Sequence, residues 1–546
     1  MSVLCTYCNE FSVDNEFCSK CGKKIKRDIG KWKIGIDNKL SIQTTLKDED
    51  IIDCDNKYIE VPLYIDSSKA YFNYSKEITL LEYIKEKYIN FKIIEIVINR
   101  VGEIIKSINR KNKILGSLDL DQLWIVNEDI ETLHLKQIRP YITKGIDKKL
   151  YKGGRISSTE ILYNNSKDIN YSSDVYIIGR LLLELSLKGK IIENRAHEIY
   201  LAYFISAFND EIPVELHEWI YKTTTLFSEE RYKKVDEALS AFREICKDNK
   251  NTFKDISFRY SSLSDIGNYK RIKVKDMDES VIEIANEDSY IVLEDNANQK
   301  LFAMLADGIS TTNYGSGYDA ANIVKDISIE SWKEKCDNLQ TLSDVKSFFL
   351  TIINNSNNKI NNSIIKNSDK ELWGTVMGAT FVATIIIKNK MYFTSLGDSK
   401  IYLFNKKKGF NLLNYEENYG TELLREGYSW GECNNIDGFK ALTNCIGGND
   451  INDEAKIINE EDLNIKEVTL EDKDIVLICS DGVTDYISPL GYGTNLWNID
   501  KELKELIVSK EKNESILDIP SSLIQIANEN GGGDNITSIL IEVNIN

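Results

Sequence analysis

Four apolar runs in the second half of the chain meet an acid and a glycine at one end. "LFAMLADG" closes on Asp307 and Gly308, "MYFTSLGDSK" on Gly397 and Asp398, and "DIVLICSDGVTDYI" passes from its apolar run into Asp481 and Gly482. "GGGDNITSILIEV" reverses the order, with Asp534 just before the run. One such junction is an ordinary turn signal. Four need a common cause, because carboxylates at neighbouring strand ends repel unless a cation lies between them. A fifth acidic point, "ANEDSYIV", adds Glu287 and Asp288 where another strand starts. Hard oxygen ligands in such number suit Mg²⁺ or Mn²⁺. Each neighbouring glycine is expected to let the chain turn sharply and bring a carbonyl close to a metal. The pattern therefore predicts strands whose ends build an acidic floor for two divalent ions and a water activated by them.

What the chain lacks narrows the chemistry. Its three histidines, His134, His197 and His217, all precede the acidic junctions. That excludes histidine-ligated metal centres and phosphohistidine intermediates from this region. Cys336, Cys433, Cys445 and Cys479 are not followed within six residues by the Arg that a cysteine-dependent phosphate loop requires. The net charge of −18 argues against nucleic acid as a partner, since phosphate contacts need clustered Lys and Arg. The N-terminus has no basic-then-apolar leader, and no apolar run is long enough to span a bilayer, so a cytoplasmic protein without a membrane partner is expected. In that reducing setting the scattered cysteines, Cys54 and Cys246 among them, are expected as buried free thiols.

Three regions separate along the 546 residues. Residues 1–27 hold Cys5, Cys8, Cys18 and Cys21 in a C-x2-C-x9-C-x2-C spacing. Two such knuckles aim four thiolates at one ion, the tetrahedral set that zinc prefers. The segment is too short for a core, so one structural Zn²⁺ would supply its folding energy. It resembles the small zinc ribbons of bacterial regulatory proteins. Residues 28–250 mix short strands with amphipathic helices, notably 91–108 and 172–189. Residues 258–546 carry the acidic junctions and two long helical patterns near 318–335 and 342–366.

In the middle region "YSSDVYIIGRLLLELSLKGK", "SSTEI" (157–161) and "SEERYKKVDEALSAF" (228–242) resemble the C-lobe of protein kinases. On that resemblance Asp174 opens a central helix, and Arg231 belongs to a late segment of the lobe. The catalytic positions do not follow. "GSLDLDQLWIV" (116–126) puts Leu118 and Leu123 where phosphoryl transfer needs Asp and Asn, and a one-residue shift gives Asp119 but Trp124. No D-F-G stands near "LHLKQIR" (133–139). The resemblance implies a truncated kinase-like α+β domain without kinase chemistry; an unrelated helical domain is the alternative.

From about Ser261 onward, the order "NEDSY", "LADG", "GATFVA…SLGDSKIYL", "CSDGVTD", "GGGDNIT" resembles the metal-dependent Ser/Thr protein phosphatases of the 2C type. The resemblance implies an α/β domain of two antiparallel sheets flanked by helices, with the metals in a cleft at one edge. It implies that Asp307 bridges two Mn²⁺ or Mg²⁺ ions and that Asp481 and Asp534 hold one of them. The other would take the Gly308 carbonyl and, partly through water, Glu287 and Asp288. Asp398 would serve a third, weaker ion. The phosphate-binding Arg is displaced from its usual place, where Glu283 stands. "SDIGNYKRIK" offers Arg271, the favoured catalytic residue beside Asp288, and Lys270 next to it. Tyr419, Tyr428 and Trp430 fall in a segment expected to form a flap beside the cleft.

The whole then reads as a multidomain protein Ser/Thr phosphatase, acting on a phosphorylated protein and working with a partner Ser/Thr kinase. Zinc ribbon and kinase-like domain would target or regulate it. The rivals are a non-enzymatic scaffold built on a decayed phosphatase, and a bifunctional kinase–phosphatase.

Overall fold

The computed structural model divides the chain into two compact units, Met1–Lys247 and Asp248–Asn546. In the first it describes short pieces within 3–51, residues 57–138 less 67, 75, 76 and 88, then 141–143, 156–162, 169–186 and 212–247 less 226. In the second it describes 256–275, 285–364, 373–488 less 427, 429 and 434, and 496–545 less 514. Cys5, Cys8, Cys18, Cys21, Cys54, His197 and Glu283 lie outside these residues.

The second unit contains two five-stranded sheets. One runs Asp288–Asp295, Lys300–Asp307, Phe381–Ile387, Lys390–Leu396, Lys466–Thr469; the other runs Ile256–Asp265, Ile536–Ile545, Ile475–Cys479, Lys400–Asn405, Gly409–Leu412. All their pairings are antiparallel. Strand Lys300–Asp307 shows why both faces are covered. Its even-numbered Phe302, Met304 and Ala306 enter a core with Val324, Phe348 and Phe349 of the outer helices. Leu301, Ala303 and Leu305 are as fully buried on the opposite face, because successive strand side chains alternate. That second face carries Asp307 at its end.

The two long helices expected from periodicity are Gly317–Lys335 and Leu342–Ser363. Ser316 Oγ caps the first, and a Thr341–Asp344 capping box starts the second. Phe302 locks both to the sheet, stacked on Trp332 at 5.5 Å and edge-on to Phe348 at 5.2 Å. Helix Ile519–Glu529 lies against the other sheet, where Ser261 Oγ donates to the Leu517 carbonyl at 2.8 Å. The arrangement is the helix-flanked pair of antiparallel sheets expected for this region.

In the first unit the helical patterns fold as Phe91–Arg110 and Tyr171–Ser186. Asp174, fully buried, accepts from the Leu115 and Gly116 amides at 3.1 and 2.9 Å and from Asn109 Nδ2 at 2.8 Å. It thereby ties the central helix to the start of "GSLDLDQLWIV". Leu118 and Leu123 are wholly buried in the main apolar core, and Asp119 forms a capping box with Gln122. Trp124 packs edge-on to Trp32 at 5.2 Å. Both alignments of the stretch thus put these side chains into packing and capping. The thiols differ in part from expectation. Cys433 and Cys479 are buried, but Cys246, Cys336 and Cys445 are only half-buried, and all five are free.

Candidate metal centre

The strand register decides the site. In the antiparallel pair Asp288–Asp295 and Lys300–Asp307, Asp288 stands directly opposite Asp307. Directly opposed side chains have Cβ atoms about 5 Å apart, and like charges there destabilise a sheet. The other sheet brings Asp481, just after strand Ile475–Cys479, and Asp534, just before strand Ile536–Ile545. The acids therefore come from both sheets and meet at one edge of the gap between them. Thr537 Oγ1 and Ser480 Oγ reach across and donate to Asp288 Oδ2 at 2.6 and 3.0 Å.

Several observations fit divalent cations to this floor. Asp288 Oδ1 and Asp481 Oδ1 are buried and receive no hydrogen bond from any described residue. Buried carboxylate oxygens are rarely left so. Burial, then Asp288, Asp481, Asp534 and Asp398, hold the Asp307 carboxyl well above its usual pKa. Burial, Asp398, Asp485 and Asp534 do the same to Asp481, against Lys440. Asp288 is pushed up to about 6 by burial and Asp534, against the hydroxyls that bind it. An acidic cluster strained towards protonation is one that a hard cation would relieve.

The surroundings hold these acids in place. Thr380 Oγ1 accepts from the Asp307 amide at 2.9 Å and shares a hydrogen bond of 2.9 Å with Ser399 Oγ, linking the strand end of Asp307 to that of Asp398. Asn535 Oδ1 accepts from the Glu287 amide at 3.0 Å and from Lys270 Nζ at 3.1 Å. Ser310 Oγ donates to Glu287, and the Gly308 amide donates to the Glu287 carbonyl at 3.1 Å. Asp398 lies half-buried beside the floor, pushed up to about 7 by burial, Glu416 and Asp485, against Lys400 and Lys440.

The glycines differ from expectation in their reason. Gly397 has φ +105°, the conformation that favours glycine. Gly308 and Gly482 do not. A Cβ on Gly308 would lie 2.2 Å from the Gly317 carbonyl oxygen, and one on Gly482 would lie 2.0 Å from that of Asn535. Both are glycine because backbone from another segment passes against them.

Arg271 and Lys270 part company. They are adjacent on helix Asn268–Lys275, so their side chains leave it about 100° apart. Lys270 Nζ lies 2.7 Å from Asp534 Oδ1 and 3.4 Å from Glu287 Oε2. Arg271, nearly half-exposed, points to Asp265 with Nη2 at 2.7 Å from Oδ2. Among the described residues the floor thus gathers Glu287, Asp288, Asp307, Gly308, Asp481 and Asp534 with Lys270, and not with Arg271. Tyr419 and Tyr428 are exposed, and the Trp430 side chain lies outside the described residues. Helix periodicity could have separated Lys270 from Arg271. Ser480, Thr537 and Asn535 stand inside the quoted "CSDGVTD" and "GGGDNIT", but nothing in the sequence gave them a role.

Residues 312–490 match the family model described as "Protein phosphatase 2C". The C-terminal unit carries a phosphatase 2C domain. Two curated relatives of the domain are each 26% identical to this chain. The "Serine/threonine phosphatase stp" of Listeria welshimeri matches over 265 residues, 48% of this chain and 91% of the relative. The "Protein phosphatase PhpP" of Streptococcus pneumoniae matches over 264, 47% and 92%. Among solved structures, the serine/threonine phosphatase of S. agalactiae aligns at 24% identity and a TM-score of 0.38, over 52% of this chain and 99% of that one.

Among the described residues, the group of three ligand-type side chains whose atoms already lie within 4.8 Å of one another is in the first unit and not on the acidic floor: Glu60, Glu77 and His134. The fully buried ammonium of Lys136 pairs with both carboxylates there, so the group is a charge network already neutralised from within.

Proposed function

We propose that the protein hydrolyses phosphoserine or phosphothreonine in a phosphorylated protein, using two Mn²⁺ or Mg²⁺ ions. The observation that carries this reading is the pairing of Asp288 with Asp307 in register, with Asp481 and Asp534 delivered from the facing sheet. Asp307, Asp481, Asp534, Glu287, Asp288 and the Gly308 carbonyl would hold the ions. Bound there, they supply a nucleophilic water at neutral pH and neutralise the charge of the phosphoryl group. The remaining work belongs to the chain. Thr537 and Ser480 fix the Asp288 carboxylate, Thr380 fixes the start of the Asp307 loop, and Lys270 offers an ammonium to the phosphate oxygens. The scaffold reading rests on the displaced Arg; Lys270 beside Glu287 and Asp534 weighs against it.

Phosphate release from a phosphothreonine peptide is therefore expected with Mn²⁺ and not in excess chelator; undiminished release in chelator would overturn the two-metal reading. Lys270→Ala is expected to lower kcat/KM by the equivalent of about 1.5–3 kcal/mol, the range for a charge-assisted hydrogen bond. Arg271→Ala, which breaks a half-exposed ion pair, should stay near wild type. The reverse ranking would return the phosphate to Arg271.

We further propose that residues 28–250 form a kinase-like domain without phosphotransfer, serving to engage the phosphoprotein or its Ser/Thr kinase. Asp174, the buried pairing of Glu160 with Arg231, and the apolar Leu118 and Leu123 support this. A zinc ribbon at Cys5, Cys8, Cys18 and Cys21 would complete the regulatory half. Elemental analysis should find one zinc per chain, lost in Cys5→Ser/Cys8→Ser; a zinc-free native protein would remove the ribbon from this account.

A further inference from the structure

On the Asp398 side of the acidic floor, positive charge is supplied by the chain itself. Asp485 lies one helical turn beyond Asp481, its amide donating to the Asp481 carbonyl at 2.7 Å, so the two carboxylates share a face. Lys440 makes an ion pair with Asp485, with three-quarters of its side chain buried. Nearby, fully buried Lys400 binds Glu416 at 2.6 Å and Thr484 Oγ1 at 3.0 Å. Both ammonium groups act on Asp398, and Lys440 also acts on Asp481.

The backbone that carries Lys440 is docked to the same strand end. Tyr419 and Gly420 amides donate to the Ala441 and Phe439 carbonyls on either side of Lys440. Thr443 donates to the Glu417 carbonyl at 2.9 Å, and Glu417 donates to the Gly397 carbonyl at 2.8 Å. The Gly397 amide donates to Glu417 Oε2 at 3.1 Å. Asp398 follows directly. A ladder of three segments thus sets the Lys440 ammonium against Asp485, beside Asp481 and Asp398.

We infer that Lys440 supplies, on the Asp398–Asp485 side of the centre, the positive charge that a third divalent ion would otherwise bring, so that the domain holds two ions and not three. The inference rests on the two-metal reading. A compact ammonium already paired with Asp485 opposes a second cation at the same carboxylates by charge and by volume. The sequence-based expectation of a weaker third ion at Asp398 took no account of a lysine brought in from about forty residues further along the chain.

The test is a Mn²⁺ titration of the full chain, counting bound ions by equilibrium dialysis and elemental analysis. Wild type should bind two. Lys440→Met should gain a third, at least about tenfold tighter than any third ion in wild type. Lys440→Arg, which keeps the charge, should stay at two. Lys440→Met/Asp398→Asn should return to two, placing the added ion at Asp398. Equal binding by wild type and Lys440→Met would overturn the inference. So would a third ion in Lys440→Arg, or one in Lys440→Met that survives Asp398→Asn. Fewer than two ions in wild type would instead overturn the two-metal reading, and this inference with it.

Discussion

Asp307→Asn is expected to abolish phosphatase turnover and, at the same time, to make the metal-free protein more stable. The loss in kcat/KM should exceed a hundredfold, since even a residue that only orients a metal ligand is worth about 10–100-fold. The gain follows from the register. Asp307 faces Asp288 across the strand pair, and Asp481 and Asp534 add to the charge around it. Two charges about 5 Å apart repel by about 3 kcal/mol at an effective dielectric of about 20. The hydroxyls of Thr537 and Ser480 that bind Asp288 offset part of this, so a gain of about 1–2 kcal/mol is expected. Mn²⁺ should raise the melting temperature of wild type and do so much less for the variant. Asp481→Asn should behave alike. A variant that keeps turnover, or that melts below metal-free wild type, would show that Asp307 is not the repelled ligand described here.

The second large effect lies in the other unit. Arg231 is fully buried, with Nη1 and Nη2 at 2.7 and 3.2 Å from the two Glu160 oxygens and Nε donating to the Thr225 carbonyl at 2.7 Å. Ser173 Oγ adds a bond of 2.7 Å to Glu160. Removing either partner strands the other charge in the interior, at a cost of about 3–5 kcal/mol. Glu160→Ala and Arg231→Ala should each expose the Tyr171–Ser186 helix to hydrogen exchange. The double substitution should cost less than the sum of the two. Exchange rates at wild-type values in both single variants would refute the assignment. Glu160 also has a lowered pKa: burial opposes the shift, and Arg231 outweighs it. Its contribution is therefore present above the ordinary carboxylate range and lost as pH falls through that lowered pKa.

Sequence carried the acidic residues because a strand-ending acid beside glycine is a local pattern. It carried the two long outer helices for the same reason, as 3.6-residue periodicity; their caps, Ser316 and Thr341, are seen only in the structure. What it did not carry depends on which segments meet. The opposition of Asp288 to Asp307 is a matter of register. The meeting of Glu160 with Arg231 joins two motifs read separately. Motif resemblance alone favoured Arg271 over Lys270, whereas the stretch folds as a helix in which neighbouring side chains diverge. Gly308 and Gly482 were explained by turning, yet their reason is a backbone contact with Gly317 and Asn535. Lys440 stands in no motif.

One pairing has a consequence for how the molecule is made. Strand Ile536–Ile545 lies between Ile256–Asp265 and Ile475–Cys479, matched to the former over ten register pairs. The first strand of the unit thus has no partner until residues some 280 positions later have been synthesised and have cleared the ribosome. Asp534 arrives only then, just ahead of that strand. A nascent chain stopped short of it leaves Ile256–Asp265 unpaired in this sheet and uncovers the edge of Ile475–Cys479 that the missing strand would fill, a hazard for aggregation rather than a smaller enzyme. The acidic centre therefore cannot exist before the sheet is whole, and an active phosphatase unit would also be a finished one.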